Sequence, residues 1–465
     1  MKIIILGSGN VSIELAKYLV SSGHAVTIAD QDFAALSDLG NRIDLRVVQG
    51  DPSSPVTLRK AGAENTELLV ATTSDDEANI TACCVAHFLF KIPRKIARIR
   101  SIDYLREQNT LFGPDSIPID HIIATERIIT ENIEAMMELP GISAYASFDN
   151  NRVVVVSSKV ERGSKLVKKE ISKFNRYDGK ACVLAVYRND KLITNMDEEF
   201  FEIGDEVYFC CERDRTLSQL SALRPLKIGD RNITIAGGTH ISDSLAETLS
   251  ERYNIKVIEM EEARANRLSN KLQYTDVNVY CADPMDIDFM RDETLYSSDL
   301  YIAATPHDDT NIMSSLIYSR IHNVKTLAVL RSESYVDLAL NDKTDIDAVV
   351  FPKESIISAM LSNIRQEGVE NIHLFRQGRS EAIELTIRGS KLSSRVVGHK
   401  VESLNLPKGV KLGLVIRDRK LMIAENSLVL KNGDKVIVYL DDNQLVRKVV
   451  STFRPFSFWI PKKWS

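Results

Sequence analysis

The chain opens with an apolar run, Ile3-Ile4-Ile5-Leu6, that stops at Gly7 and gives way within a few residues to the amphipathic segment VSIELAKYLVSSGH. A short unbroken apolar run followed by helical periodicity predicts a buried strand feeding a helix. The alternation continues through AVTIAD, ending at Asp30, VVQGD, ending at Asp51, and LLVATTSDDEANI (68–80), where Thr72, Thr73 and Ser74 end a fourth strand ahead of a helix start. Strands alternating with helical patterns predict βαβ units and a parallel sheet. IDHIIATERIITENI (119–133) carries apolar residues at helical spacing and predicts a connector helix over 119–137. Beyond it, Arg152-Val153-Val154-Val155-Val156 reads as a strand of a second, smaller unit.

The pattern is then written again. The strand-then-glycine start recurs at Ile233-Thr234-Ile235-Ala236-Gly237, an offset of about 230 residues, and later landmarks follow at nearly constant spacing. Asp30 returns as Glu259, Asp51 as Asp283, Thr73 as Thr305 and Asn79 as Asn311. IDAVVFPKESIISAM (346–360) repeats the connector, predicting a helix over 346–364, and Ile383-Glu384-Leu385-Thr386-Ile387 repeats the strand after it. An ordered series of this kind is a duplication. The expected fold is α/β, two tandem Rossmann-like nucleotide-binding domains, each followed by a small α+β C-terminal domain. The expected units are 1–138, 139–224, 230–365 and 370–453, with a tail over 454–465.

Composition narrows the partners. Of 465 residues, 44% are hydrophobic and 26% charged, as in an ordinary globular protein. A formal net charge of −5 argues against a nucleic-acid binder, which needs a basic surface to release counterions. The six cysteines include the adjacent pairs Cys83-Cys84 and Cys210-Cys211, with Cys182 and Cys281 apart. None has zinc or redox spacing, so all six read as small buried hydrophobes in a reducing compartment, and no metal site is expected. No apolar run is long enough for a signal sequence or a bilayer span, so work at a membrane requires docking there. The tail FRPFSFWIPKKWS (453–465), with Trp459, Trp464, Lys462 and Lys463, fits either a membrane interface or a fold-back onto its own domain.

The binding chemistry concentrates in the first glycine turn. Gly7-Ser8-Gly9-Asn10-Val11-Ser12 follows a strand and opens a helix, the context a dinucleotide fingerprint requires. Gly7 permits the tight turn, Gly9 lets backbone approach a pyrophosphate, and the helix start offers free N–H groups. Ser12, in place of the third glycine, is small enough for helix-on-strand packing. Asp30 sits where a carboxylate accepts from an adenosine ribose, and its charge disfavours a 2′-phosphate. Thr72, Thr73 and Ser74 lie at the carboxyl edge where such sheets bind ligands; Ser74 with Asp75, Asp76 and Glu77 is also a good helix cap.

The second copy departs from this. Its turn is Gly237-Gly238-Thr239-His240-Ile241-Ser242, and the β-branched Thr239 replaces the close-approach glycine, predicting weaker binding or none. Glu259 keeps an acid of the ribose type, and with Gly237, Gly238, Thr239, His240, Ile241 and Thr305 it makes up the second set of candidates.

Taken in order, MKIIILGSGNVS, DLRVVQGD (44–51), ATTSDDEANI (71–80), KIARIRSIDYLRE (95–107), PIDHIIATE (118–126) and SRVVGHKVESLNLP (394–407) resemble the tandem regulator-of-potassium-conductance (RCK-KTN) family over essentially the whole chain. The resemblance implies a regulatory gating subunit of potassium uptake, peripheral on the cytoplasmic face of the membrane. It implies a homotetrameric ring beneath a membrane-embedded potassium-conducting subunit of TrkH type. Its regulatory ligands would be NAD(H), ATP or ADP, held in the first crevice by Gly7 to Val11, Asp30, Thr73, Ser74 and Arg98; the strand-end residues Asp51 and Thr72 complete the candidate set for that crevice. Arg98, after the strand-like Ile96-Ala97, suits a bidentate phosphate contact, whereas Arg331 of the second copy aligns better with Arg100. The rival is an NAD-dependent dehydrogenase with an unrecognised substrate site. Against it, the eight histidines are scattered and none stands in acid–base spacing with a carboxylate, so no catalytic residue is assigned.

Overall fold

The computed structural model describes residues 1–113, 116–174, 181–225, 232–273, 275–291, 298–339, 345–364 and 368–455. Part of the linker 224–232 and residues 456–465 of the aromatic-basic tail lie outside the described residues.

The first apolar runs become β1 (Lys2–Leu6), β2 (Ala25–Asp30), β3 (Arg46–Gln49), β4 (Leu68–Ala71), β5 (Arg94–Arg98) and β6 (His121–Ile123). They form one parallel sheet in the order β3-β2-β1-β4-β5-β6. The order reverses direction between β1 and β4, so the helices after these strands leave on opposite faces and a crevice opens at the strands' carboxyl ends. An antiparallel sheet follows, built from β7 (Ile142–Phe148), β8 (Val153–Lys159), β9 (Ala181–Arg188), β10 (Lys191–Leu192) and β11 (Glu206–Glu212).

The second half repeats both layers. β12 (Asn232–Ala236), β13 (Asn254–Glu259), β14 (Val277–Cys281), β15 (Leu300–Ala303), β16 (Lys325–Val329) and β17 (Ala348–Val350) reproduce the parallel sheet strand for strand. β18 (Val369–Phe375), β19 (Ser380–Thr386), β20 (Val410–Arg417), β21 (Lys420–Ile423) and β22 (Lys435–Leu440) reproduce the antiparallel one.

Three sequence expectations are corrected. The connectors are shorter than their periodicity implied: residues 121–123 and 348–350 are the sixth strands, and the helices are Thr125–Glu138 and Pro352–Asn363. Ile123 pairs with Arg98 in the sheet and is 1% exposed, and a short buried apolar run has no periodicity of its own to separate strand from helix. The helix after β4 is capped by Asp75, whose Oδ1 accepts from the Ala78 amide at 2.7 Å, rather than by Ser74. Cys281 is exposed because β14 is an edge strand, and Cys84 is half-buried; Cys83, Cys182, Cys210 and Cys211 are buried as expected.

The connector helices cross between the halves. Ile129 and Ile133 of Thr125–Glu138 are buried among Ile233, Leu245, Leu249 and Val350 of the second half. Ile356 and Met360 of Pro352–Asn363 share a core with Leu15, Leu19 and Ile3 of the first. Each such side chain removed from water contributes roughly 1.5–3 kcal/mol, so each parallel sheet completes its core with a helix from the other copy. The two antiparallel sheets also pack face to face, with Phe148, Val155 and Leu184 against Ile416, Ile437 and Tyr439. A Cβ on Gly413 would lie 2.5 Å from Cys210 Sγ and 2.6 Å from Leu184 Cδ2, so glycine there permits the close approach. Among the described residues no helix is long and apolar enough to cross a membrane.

This exchange predicts that residues 1–225 and 232–465, produced separately, each expose an apolar helix face. Each alone should aggregate or self-associate, and the mixture should run as a one-to-one complex in size-exclusion chromatography with light scattering. Two well-behaved monomers that ignore each other would contradict the exchanged packing.

Candidate functional site: the two glycine turns

At the end of β1, Gly7 adopts φ +104°, and a Cβ there would stand 3.1 Å from the Thr72 carbonyl oxygen and 3.2 Å from Thr73 Cα. Both the conformation and the proximity of β4's exit therefore demand glycine. Gly9 differs: its φ of −69° suits any residue, and a Cβ would meet nothing within 4 Å. It is the N-cap of helix Asn10–Ser21 and offers no side chain to the first helical amides. The open space over Gly9 and the free amides behind it form the cradle that a phosphate group fits.

Asp30 fixes this cradle to β2. Its Oδ2 accepts from the Ser8 amide at 2.5 Å and its Oδ1 from the Asp32 amide at 2.9 Å. A carboxylate has about four lone-pair positions, so two remain for a ribose hydroxyl. Ser12 is buried, with Oγ 2.9 Å from Thr72 Oγ1, which donates to the Leu6 carbonyl at 2.9 Å. The serine thus keeps the helix close to β1 and β4. Asn10 is exposed and Val11 half-buried at the helix start.

On the far side of the crevice, Thr73 donates from its amide to Asn79 Oδ1 at 3.0 Å, and Asn79 Nδ2 donates to the Arg98 carbonyl at 3.0 Å. Asn79 is fully buried and braces the ends of β4 and β5 together. The Ser74 carbonyl accepts from the Arg100 guanidinium, while Asp76 accepts from the Arg100 and Ser101 amides, each at 2.8 Å. Those acids serve the loop, and among the described residues no cluster suited to a metal ion is present.

Asp76 Oδ1 and Arg100 Nε, also without hydrogen-bond partners, lie 3.9 Å apart as an ion pair, whereas among the described residues Arg98 has no carboxylate paired with it. Its Nε is buried without a hydrogen-bond partner; burial lowers its pKa, with Glu126 opposing. A half-buried cation with an orphaned donor at the sheet's carboxyl edge fits an anionic ligand group. Asp51 stands apart: its Oδ1 accepts from the Ser53 amide at 2.8 Å and hydroxyl at 2.7 Å, closing an exposed turn of its own.

The second turn is closed by its own side chains. Gly237 repeats the strained geometry, with φ +107° and a Cβ position 2.8 Å from Thr305 Cα. Glu259, 5% exposed, folds beneath the turn, accepting from the Gly238 amide and, at 2.8 Å, from the Glu261 amide. A Cβ on Gly238 would stand 2.8 Å from Glu259 Oε2, so this glycine makes room for the longer acid. Thr239 fills the Gly9 position; its Oγ1 donates to the Ala304 carbonyl at 3.1 Å and caps the helix at the Ser242 amide, 3.4 Å away. His240 is exposed and Ile241 buried at that helix start. Thr305 and Asn311 repeat the Thr73–Asn79 brace, the amide bond measuring 2.8 Å.

Asn311 Nδ2 donates to the Val329 carbonyl at 2.8 Å, as Asn79 does to Arg98, so Val329 occupies the Arg98 position. Arg331 takes the role of Arg100, its Nη1 donating to the Thr305 carbonyl at 2.9 Å. The second crevice thus lacks both the open glycine and the orphaned cation. The asparagine brace had been visible in the sequence only as a repeated landmark, and the displaced Arg331 was the one sign of the missing cation.

The two glycines should separate in stability measurements. Gly7→Ala should lower unfolding free energy by about 1–3 kcal/mol, from positive φ and crowding against Thr72. Gly9→Ala should leave it within about 0.5 kcal/mol or raise it slightly. Chemical denaturation checks both, and equal losses would contradict the geometry.

Residues 3–125 and 233–352 match the TrkA-N domain, and residues 391–451 match the TrkA-C domain. The chain is 35% identical over 462 residues to the Trk system potassium uptake protein TrkA of Haemophilus influenzae, covering 99% of this chain and 100% of the relative. It is 36% identical over 462 residues to that of Vibrio alginolyticus, with the same coverage. Among solved structures, the GsuK RCK domain superposes with a TM-score of 0.59 at 18% identity, covering 97% of this chain and 94% of that one. The GsuK channel bound to NAD superposes with a TM-score of 0.59 at 18% identity, covering 97% and 78%. At that identity the likeness concerns the fold. With two TrkA-N units, a TrkA-C unit and full-length relatives above a third identical, the chain belongs to the family of Trk system potassium uptake protein TrkA.

Proposed function

We propose that this chain is a nucleotide-responsive regulatory subunit of potassium uptake, without catalysis of its own, docked on the cytoplasmic face of the membrane against a TrkH-type conducting subunit. The observation that carries the reading is the asymmetry of the two crevices. The first keeps an open cradle over Gly9 with an unpartnered Arg98 donor, while the second has Thr239 and Val329 in those places.

In the first crevice the helix amides and Arg98 would hold the phosphates of NAD(H), ATP or ADP, and the remaining lone pairs of Asp30 the ribose. Thr72, Thr73 and Ser74 border the same edge, with Asp51 at its margin. A GsuK structure bound to ADP, aligned at a TM-score of 0.50 and 14% identity, accompanies the NAD-bound one among proteins of like fold. Control of flux requires no bond to be made or broken. A ligand that favours one arrangement of the halves by about 1–3 kcal/mol shifts gating several-fold or more, and coupled sites in a homotetramer multiply the shift. The domain units 1–138, 139–224, 230–365 and 370–453 are the bodies that would move.

Titration calorimetry with NADH, NAD, ATP and ADP should show binding to the full chain. Gly9→Ala and Asp30→Ala should each weaken it about tenfold or more, and Arg98→Ala should weaken the most highly charged phosphate ligand most. Potassium flux through the conducting partner should then depend on the nucleotide supplied. Failure of every adenine nucleotide to bind overturns the reading, and substrate-dependent hydride transfer by the isolated chain would replace it with the dehydrogenase.

A further inference from the structure

Helix Asn10–Ser21, which starts at the first glycine turn, is also the surface on which the second half's antiparallel sheet rests. Near its C-terminal end, Tyr18 is 8% exposed and donates from its hydroxyl to Glu381 Oε2 at 3.1 Å. Glu381 is the second residue of β19 and is 0% exposed, and its other oxygen, Oε1, is buried with no hydrogen-bond partner. Three residues along the same strand, Glu384 is equally buried but is met by Lys435 Nζ at 3.0 Å and by the Asn371 amide at 2.6 Å. Glu381 has no such cation and no second donor beside it: Tyr18 is its partner at Oε2, and Oε1 is left bare.

A second carboxyl lies in the same seam. A cavity of about 260 Å³ is lined by Glu14, Lys17 and Tyr18 of the helix and by Lys353, Glu354 and Gly378 of the second half. Glu354 accepts from the Gly378 amide at 3.2 Å. Burial pushes its pKa up to about 7, against backbone donors at Gln377 and Gly378 and the charges of Lys353 and Arg379. Burial pushes Glu381 up to about 8; the Tyr18 hydrogen bond opposes this and the Asp442 charge, from the turn after β22, adds to it. The titratable and charged groups facing the seam are Glu14, Lys17 and Tyr18 from the helix, His24 just past its end, Lys353 from the connector, Arg379 and Asp442 from the sheet's turns, and Arg447, whose Nη2 donates to the Val20 carbonyl at 3.2 Å.

We propose that this seam is a proton-operated latch: it stays packed while Glu381 and Glu354 carry protons, loosens as they lose them, and so biases the helix that begins at the nucleotide turn. The sign follows from linkage. An exposed glutamate has its ordinary value of 4.5, so between that and about 8 the packed seam holds a proton at Glu381 that an opened seam has released. Rising pH therefore favours opening across this window, by at most about tenfold per unit for each carboxyl, and the effect levels off above the packed-state values. The latch stands on the seam alone; only its effect on ligand affinity rests on the nucleotide-binding reading above.

Hydrogen–deuterium exchange of the full chain without nucleotide, corrected for the intrinsic pH dependence of exchange, reads the latch directly. In the wild type, opening at residues 10–21 and 380–386 should rise by well over tenfold from pH 6 to 7, where both carboxyls release protons, and by about tenfold from pH 7 to 8. The rise should be shallower in Glu381→Gln and flat in the Glu354→Gln/Glu381→Gln double variant. Tyr18→Phe should raise opening at every pH while keeping the slope. A wild-type slope in the double variant overturns the proposal. Infrared spectroscopy of the unaltered protein at pH 7 provides the second measurement: a protonated-carboxyl band that disappears on alkalinisation supports the latch, and its absence at pH 7 sinks it. Parallel calorimetry separates the two readings, since a nucleotide affinity indifferent to pH beside a sloped exchange profile leaves the latch standing and removes its link to the ligand.

Discussion

Neither copy of the repeated unit buries its connector helix by itself. Ile129 and Ile133 are covered by the second parallel sheet and its first helix, Ile356 and Met360 by the first, and the two antiparallel sheets close on each other through Phe148, Leu184, Ile416 and Tyr439. Close-packed interiors do not deform continuously. A change in the tilt of one sheet must therefore be met by a discrete repacking of a helix that belongs to the other copy. The molecule is mechanically one object with two crevices, each built over a core that a helix of the other copy helps to complete.

Against that shared scaffold the two crevices have diverged. The first keeps its cradle empty of its own side chains, holding Asp30 to the turn by backbone amides and leaving the Arg98 Nε without a partner. The second satisfies itself: Glu259 is folded beneath Gly238, Thr239 bonds to Ala304, and Val329 is wholly buried. An unsatisfied buried donor costs free energy that a phosphate oxygen would recover, whereas a self-satisfied turn offers a ligand little. One turn is thus left open with an unmet donor beside it, and the other is closed by its own side chains.

Local signals made the first crevice legible in the sequence. Gly7, Gly9 and Asp30 announce themselves because positive φ, close backbone approach and a strand-end acid are properties of a few consecutive residues at fixed spacing. The duplication was equally plain, because both copies preserve their landmarks in order. What depends on distant partners was not legible. The periodicity of 119–133 shows an apolar face but not that residues 121–123 join β5, nor that Ile133 packs against the other copy. Asn79 appeared as a repeated residue, yet its brace between Thr73 and Arg98 requires two strand ends to meet in space. Cys281 read as buried because edge position is a property of the whole sheet. The pairing of Tyr18 with Glu381, residues at opposite ends of the chain, had no sequence signal at all.

On the proposed function, adenine nucleotide occupies the first crevice in preference to the second. Equilibrium dialysis of the full chain with NADH and ATP tests it through the number of high-affinity sites. One tight site per chain, weakened in Arg98→Ala, for ATP more than for NADH, and kept in Thr239→Ala, is the predicted result. Two equivalent sites per chain, or a tight site that survives Arg98→Ala unchanged, would contradict it.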